Sequence, residues 1–264
     1  MRPDAGLGIA PFERAKHLPL RISRRVLLGC VDALPRCRAR RVAGQGGAIR
    51  TMALVVIGGH SRSVGKTSVV AGLIAAMPER RWTAVKITLF GHGVCSASSE
   101  LCDCATADDS WAIMEERDRS GESDTSRFLV SGAERSLWLR TRQGNLAEAM
   151  PSLRKQIADA ANVIVESNSV MKFLRPDLYL TVLDYGTADF KPTAREFLDR
   201  ASAVIVHDAP PDALPEWSGV SLKLIRGKPV FRVRPPRYVS EAIVSFVRDA
   251  LRATEARRHR ETPL

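Results

Sequence analysis

The sequence predicts an α/β protein with a doubly wound, mostly parallel sheet that is covered by helices on both faces. Short, continuous apolar runs alternate with segments of helical composition between residues 53 and 254. Such runs are typical of parallel strands that are buried on both faces. A glycine-rich segment, 58–65, joins the first apolar run to the first helical segment. Open α/β sheets bind their ligands at turns of this kind.

The elements follow from local composition. Strands are expected where apolar and β-branched residues follow one another, at 53–57, 82–88, 136–139, 163–165, 178–183, 203–206 and 230–233. Helices are expected at 69–77, 111–117, 124–132, 145–160, 193–200 and 239–254. Asn145 and Asp124 stand at helix starts, where short polar side chains cap free N–H groups, so both are predicted as caps.

The segment 58–68 reads Gly-Gly-His-Ser-Arg-Ser-Val-Gly-Lys-Thr-Ser and predicts a phosphate-binding loop, or P-loop. A loop that turns from a strand into a helix directs backbone N–H groups and the positive end of the helix dipole at one point. Lys66 would reach the β- and γ-phosphates of a nucleoside triphosphate, and the Thr67 hydroxyl would bind Mg²⁺. The rest of the predicted cradle is Gly59, Ser61, Arg62, Ser63, Val64, Gly65 and Ser68.

Other candidate site residues stand at the ends of predicted elements. Lys86 lies at the end of the second strand, where an unpaired buried lysine would be costly, so we expect it to face phosphate or an acidic group. Glu166 ends the strand 163–165 and is the candidate carboxylate for Mg²⁺ or for the attacking water. Asp124 is a candidate for binding Mg²⁺ indirectly. We therefore predict Lys66, Glu166 and Asp124 as catalytic, with Thr67 and Glu166 as the Mg²⁺ ligands.

The order of these motifs resembles the GTP-binding family of molybdopterin-guanine dinucleotide biosynthesis protein B (MobB type) over roughly 53–183. Val85-Lys86 is similar to the Val-Ile-Lys strand of that family. The segment 124–133, Asp-Thr-Ser-Arg-Phe-Leu-Val-Ser-Gly-Ala, resembles its Lys-Asp-Ser-x-Arg-x-x-x-Ala-Gly-Ala helix, and Val-Ile-Val-Glu at 163–166 resembles its Walker B-like strand. The resemblance implies an accessory NTPase with slow, Mg²⁺-dependent hydrolysis in metal or pterin cofactor maturation.

Several positions depart from known P-loop families. Five residues separate Gly59 from Gly65, one more than the usual four, and this spacing resembles the loop of dethiobiotin synthetase. Ser167 and Ile87 stand where MobB-type proteins have Gly and His. The strand 203–206 is followed by His207-Asp208 and not by an Asn-Lys-x-Asp guanine-reading motif, so ATP and GTP both stay open. Ser61 replaces the lysine of MinD/ParA-type loops, so a nucleotide-sensing dimer of that type is not expected, although another homodimer stays open.

The segment after the second strand carries four candidate metal ligands, which are His92, Cys95, Cys102 and Cys104. Thiolates and imidazole bind Zn²⁺ and soft transition metals, and metallochaperone GTPases of the urease and hydrogenase type place Cys and His near this position. The spacing H-x2-C-x6-C-x-C is not that of a standard zinc finger. A site for Zn²⁺ or another transition metal, reduced thiols without a function, and a redox dithiol of Cys102 and Cys104 all stay open.

The net charge of +11 is unevenly distributed. Residues 1–51 hold 11 Arg and Lys against 3 Asp and Glu, a net charge of +8, whereas the other 213 residues carry +3. The basic character belongs to this N-terminal arm, so nucleic acid is not the expected ligand of the remainder. No apolar run approaches the ~20 residues of a membrane span, so no membrane partner is expected.

The arm shows no sustained periodicity, and Met52 directly precedes the first predicted strand. We expect 1–51 to be a basic, disordered extension, or a segment upstream of a true start at Met52, and 52–264 to be the nucleotide-binding domain. Three apolar residues after the Arg pair at 24–25 are too few for a signal peptide. A transit peptide and a nucleic-acid-binding arm are alternatives without further support, and a cytoplasmic location is expected.

Three functions are consistent with these observations. The first is a MobB-like accessory NTPase that binds nucleoside triphosphate and a cofactor-maturation protein, with metallochaperone use of the Cys/His segment as a variant. The second is a dethiobiotin-synthetase-like enzyme that transfers a phosphoryl group. Its substrate pocket would need basic and hydroxyl residues, for which the candidates are Lys86, Ser167, Asn168 and Lys172. The third is a nucleotide-sensing module without catalysis.

Overall fold

A computed structural model of the chain describes residues 52–90, 110–208, 215 and 217–261. In these ranges the strands are β1 (Ala53–Gly59), β2 (Trp82–Phe90), β3 (Trp111–Glu115), β4 (Arg135–Arg142), β5 (Asn162–Glu166), β6 (Leu178–Leu183), β7 (Ala203–His207) and β8 (Val230–Val233). The helices are α1 (Lys66–Ala76), α2 (Asp124–Val130), α3 (Leu146–Ile157), α4 (Pro192–Glu196) and α5 (Glu241–Glu261). Single 3₁₀ turns lie at Pro78–Arg80, Ser169–Lys172, Leu198–Arg200 and Leu222–Ile225.

The described strands form one sheet in the order β3-β4-β2-β5-β1-β6-β7-β8. Each neighbouring pair is parallel except β3 and β4, which are antiparallel. β1 lies between β5 and β6, so the turn that follows it is at the centre of the sheet's carboxyl edge. The predicted α/β class with a mostly parallel sheet is confirmed.

Helices cover both faces of this sheet. On one face α1, α2 and α5 pack against β1 and its neighbours, through buried residues that include Leu73, Phe128 and Val247. On the other face α3 packs through residues such as Met150 and Leu153. Successive residues of a strand point to opposite faces, so strands buried on both faces must be apolar throughout, as β1 is. No helix in the described ranges is long and apolar enough to cross a membrane.

The predicted helix at 111–117 is wrong, because residues 111–115 form the edge strand β3. Trp111 pairs with Thr141 and Glu115 with Leu137 along β4. Trp111 and Ile113 pack against the α3 side of the core. The next residue, Met114, is 42% exposed. Pairing with β4 outweighs the helical preference of the charged residues that follow.

The two predicted helix caps have different outcomes, since Asn145 is at an N-cap position and Asp124 is not. Asn145 occupies the N-cap position of α3, but its side chain makes no capping hydrogen bond and its Nδ2 donates instead to Oε1 of Glu148 (3.0 Å). α2 is capped by Ser123, whose hydroxyl accepts a 3.0 Å hydrogen bond from the backbone N–H of Ser126. Asp124 is therefore the first helical residue, and its carboxylate is available for other contacts.

Candidate functional site

The P-loop connects β1 to α1, and two of its residues have left-handed backbone conformations. Gly65, the N-cap of α1, has φ 87°, and Ser63 has φ 53°. This conformation costs little for glycine but is strained for serine. A Cβ at position 65 would also overlap the ring of Tyr238, so glycine is required there. The turn directs the first N–H groups of α1, which have no partner within the helix, toward the loop.

The other cradle residues differ in exposure. Ser61 and Val64 are buried, Arg62 is half-buried, and Ser63 is exposed. Nε2 of His207 lies 3.1 Å from the carbonyl oxygen of Val64, which is hydrogen-bonding distance in the tautomer protonated on Nε2. The loop is therefore held from the end of β7 as well as from β1.

Lys66 turns back into the loop, and its Nζ donates a 2.6 Å hydrogen bond to the carbonyl oxygen of Ser61. Burial lowers the pKa of Lys66 to about 8; attraction by Glu166 opposes this effect, and repulsion by Lys191 and Lys86 adds to it. A negatively charged ligand would favour the protonated form and restore the pKa. That Lys66 contacts the phosphates of a bound nucleotide stays a prediction.

Thr67, Lys86, Asp124 and Glu166 meet beside the first turn of α1, although they come from α1, β2, α2 and β5. The Thr67 hydroxyl donates a 2.8 Å hydrogen bond to Oε2 of Glu166. Nζ of Lys86 lies 3.1 Å from Oε1 of Glu166 and 3.5 Å from the Thr67 hydroxyl, and it forms an ion pair with Asp124. Burial opposes the charge of Lys86, but the two carboxylates outweigh it and raise the pKa of Lys86.

α2 also contacts α1 through this network. Asp124, predicted as a cap, pairs instead with Lys86. Arg127, one turn further along α2, lies 3.8 Å from the Asp124 carboxylate and donates a 3.1 Å hydrogen bond to the hydroxyl of Ser68. The hydrogen bond to Ser68 thus joins α2 directly to the first turn of α1.

The oxygen atoms of Thr67 and Glu166 suit Mg²⁺. This ion prefers hard oxygen ligands and usually combines one or two carboxylates with phosphate and water. The Glu166 side chain is only 6% exposed and ends β5 next to the P-loop, so its carboxylate is held in place. Among the described residues no group of three or more His, Cys, Asp or Glu could hold a metal by itself.

Asn168 has a role that the sequence did not indicate. It was a candidate for a substrate pocket, but its side chain holds the P-loop: Oδ1 accepts a 2.9 Å hydrogen bond from the Gly59 N–H, and Nδ2 donates a 2.8 Å hydrogen bond to the Gly59 carbonyl oxygen. A Cβ at Gly58 would overlap Asn168 and the Tyr179 hydroxyl. Glycine at position 58 thus allows the close approach of these two side chains.

The other two pocket candidates from this region lie in ordinary structural contacts. The Ser167 hydroxyl accepts a 3.3 Å hydrogen bond from the Val170 N–H. Lys172 pairs with Glu196 at 3.0 Å, and both side chains are 46% exposed. These contacts give no support to a phosphoryl-acceptor pocket at 167–172.

His60 is fully buried, and protein groups surround its ring. Nε2 lies 3.2 Å from the Thr187 carbonyl oxygen and Nδ1 3.5 Å from that of Val182. The rings of Phe190 and Trp217 have centroids 5.2 and 5.3 Å away. Burial lowers the pKa of His60. His60 therefore packs the loop in place and does not face phosphate.

Asp208, which stands where a guanine-reading aspartate would be expected, accepts a 2.5 Å hydrogen bond from Nε of Arg234. The metal-ligand candidates His92, Cys95, Cys102 and Cys104 lie outside the described residues, as does the arm at 1–51.

No family model and no curated protein matches this sequence. HypB from Helicobacter pylori, solved in complex with nickel, aligns with 78% of this chain and 89% of its own, at 14% identity and a TM-score of 0.43. LpxK from Aquifex aeolicus, in complex with ATP, aligns with 69% of this chain and 53% of its own, at 14% identity and a TM-score of 0.40; this chain thus spans about half of LpxK. Neither likeness is close enough to assign a ligand or a residue role.

The architecture of the described chain is nevertheless specific. A buried parallel strand leads through a glycine-rich loop into a helix that begins Lys-Thr, and an acidic residue ends the strand beside it. This combination within a doubly wound sheet is the fold of a P-loop NTPase domain.

Proposed function

We propose that this protein binds a nucleoside triphosphate with Mg²⁺ at the P-loop and hydrolyses it slowly. The observation that carries the proposal is the contact between Thr67 and Glu166, in which a hydroxyl of the first turn of α1 bonds to a buried carboxylate at 2.8 Å. A hydroxyl and a carboxylate next to a P-loop lysine provide the oxygen ligands and the cation that a triphosphate with Mg²⁺ requires.

The charges around the loop support an anionic ligand. Lys66, Lys86 and Lys191 influence one another's charge states, and the nearby carboxylates are those of Glu166 and Asp124. Lys86 is already paired with both carboxylates. The positive charge of the two other lysines would be offset by the oxygens of a polyphosphate.

The described residues would each have a separate role in this site. Thr67 and Glu166 would hold Mg²⁺, which when bound neutralises charge on the β- and γ-phosphates. Glu166 is in addition the candidate to orient the attacking water, because its carboxylate ends a rigid central strand. Lys86 keeps that carboxylate oriented, and Asp124 keeps Lys86 oriented.

For the biological role we propose an accessory NTPase of the MobB type, in metal or pterin cofactor maturation, together with a partner protein. This role rests on the order of the P-loop, Lys86, the segment 124–133 and Glu166 along the chain. A phosphoryl-transfer enzyme of the dethiobiotin synthetase type is the second candidate, and Lys191 favours it as an additional cation beside the loop.

The test is to titrate the purified full-length protein with ATP and with GTP, each with Mg²⁺ and with EDTA, and to follow phosphate release. We expect Mg²⁺-dependent binding of at least one of the two and slow release. Failure to bind either nucleotide at millimolar concentration would contradict the proposal. Metal analysis of the same preparation tests whether the segment containing Cys95 and Cys102 holds close to one Zn²⁺ per chain.

A further inference from the structure

The loop between β6 and α4, residues 184–191, is fastened to the first half of the P-loop. The backbone N–H of Lys191 donates a 2.8 Å hydrogen bond to the His60 carbonyl oxygen. The Ser61 hydroxyl donates a 2.7 Å hydrogen bond to Oδ2 of Asp189. With the contact between the His60 ring and the Thr187 carbonyl oxygen, three links hold the 184–191 loop against 60–61.

Lys191 is the cation that this loop brings to the P-loop. Its side chain is half-buried, and no Asp or Glu in the described part of the chain forms an ion pair with it. Burial, followed by repulsion from Arg62, lowers the pKa of Lys191, although Asp189 and Glu166 attract it. A partly desolvated ammonium group without a paired carboxylate is costly, and an external anion would remove that cost.

The ammonium groups of the neighbouring lysines, unlike that of Lys191, have partners among the described residues. Lys86 is paired with Asp124 and Glu166, and Lys66 donates to a carbonyl oxygen within the loop. Repulsion from Lys191 lowers the pKa of Lys66, and the Glu166 carboxylate attracts both lysines. Lys191 therefore approaches the P-loop from the β6 side, whereas Lys86 approaches from the β2 side.

We propose that Lys191 binds a non-bridging oxygen of the terminal phosphate of a bound nucleoside triphosphate. This inference rests on the proposed function and adds a residue that no motif assigns. It makes Lys191 a selectivity residue, because a nucleoside diphosphate lacks the phosphate that the ammonium group would contact. The backbone link to His60 holds the main chain of residue 191 beside the P-loop without depending on the charge of its side chain.

The experiment measures the affinities of the full-length protein for a non-hydrolysable triphosphate analogue and for the diphosphate of the same base, with Mg²⁺, by calorimetry. Lys191→Ala should weaken triphosphate binding by about 10- to 100-fold, the range for a hydrogen bond to a charged group. It should change diphosphate binding less than about 2-fold. Lys191→Arg should retain most of the selectivity. Lys223→Ala, at an exposed surface lysine, is the matched control.

The possible outcomes separate the two proposals. If the wild-type protein binds no nucleotide, the proposed function fails. If it binds nucleotide but Lys191→Ala loses triphosphate and diphosphate affinity equally, or loses neither, only the role of Lys191 is overturned. Equal thermal unfolding of Lys191→Ala and wild type shows that the fold is intact.

Discussion

The hydroxyl of Thr67 donates a 2.8 Å hydrogen bond to Oε2 of Glu166, and Oε1 of the same carboxylate lies 3.1 Å from Nζ of Lys86. Glu166 therefore links three elements, because Thr67 begins α1, Lys86 lies on β2 and Glu166 ends β5. Both of its oxygens are engaged within the protein. The Thr67 hydroxyl keeps its lone pairs beside the donated O–H, so it can bind Mg²⁺ without losing the hydrogen bond to Glu166.

Lys66→Ala should reduce triphosphate affinity severely, because it removes the cation inside the cradle. Thr67→Ala should reduce Mg²⁺-dependent hydrolysis more than binding, because it removes a metal ligand but leaves the N–H groups of the loop. Calorimetry and phosphate-release assays distinguish these effects. Lys223→Ala is the control, since that lysine is exposed and lies outside the predicted cradle. Unchanged binding of ATP and GTP by Lys66→Ala would refute the site assignment.

Glu166→Gln should preserve nucleotide binding and lower turnover by ~10²-fold or more, the scale for groups that position a metal or take a proton. The amide keeps the shape of the side chain but not its charge, so the Thr67 contact can persist while the attraction to Lys86 weakens. Single-turnover hydrolysis measures the effect. Wild-type turnover in this variant would move the role to another carboxylate, with Asp124→Asn and Asp184→Asn as the next variants to test.

The sheet and the core of the site could be predicted because their signals are local. Apolar runs such as 178–183 and the Gly-Lys-Thr turn are read from adjacent residues, and the shared carboxyl edge then brings Lys66 and Glu166 together. The strand 111–115 could not be predicted, because its pairing with β4 involves residues more than twenty positions away. Lys191 was missed for the same kind of reason, since only tertiary packing brings the loop 184–191 to the P-loop.

Triphosphate affinity should be nearly constant below pH 8 and should fall above it. The pKa of Lys66 is lowered to about 8 in the free protein, and bound phosphate raises it, so binding above pH 8 requires uptake of a proton. Linkage then limits the loss to about tenfold per pH unit. Titrations between about pH 7 and pH 10 test this expectation. Lys66→Arg keeps its charge, and a similar decline in that variant would assign the effect to another group.

The same pKa also affects stability in the absence of ligand. The pKa of Lys66 is 10.5 in the unfolded chain and about 8 in the folded protein. Between these values the unfolded chain binds the additional proton, so the contribution of Lys66 to the free energy of unfolding rises with pH. Chemical denaturation of wild type and Lys66→Met should show a pH-dependent difference in this window. A constant difference would show that the pKa is not lowered in the folded protein.

Asn168→Ala should destabilise the fold by about 1–3 kcal/mol, because it leaves the buried N–H and carbonyl groups of Gly59 without their partner. It should also weaken nucleotide binding, since the start of the P-loop is no longer held to β5. Asn168→Asp keeps an acceptor for the N–H but places a second oxygen against the carbonyl, so it should be at least as harmful. Asn145→Ala, at a surface amide, should change stability by less than about 0.5 kcal/mol.

A chain that begins at Met52 should fold and bind nucleotide like the full-length protein. The carbonyl oxygen of Met52 accepts a 2.9 Å hydrogen bond from Arg258 of α5, and Arg258 also pairs with Asp177 at 2.7 Å. Asp177 in turn accepts a 2.8 Å hydrogen bond from the Leu54 N–H. The start of β1 is therefore held by contacts within 52–264. We expect thermal unfolding within about 2–4 °C of the full-length value, the shift that ~1 kcal/mol produces in a domain of this size. Aggregation of the shortened chain, or loss of its nucleotide binding, would instead make residues 1–51 part of the folded domain.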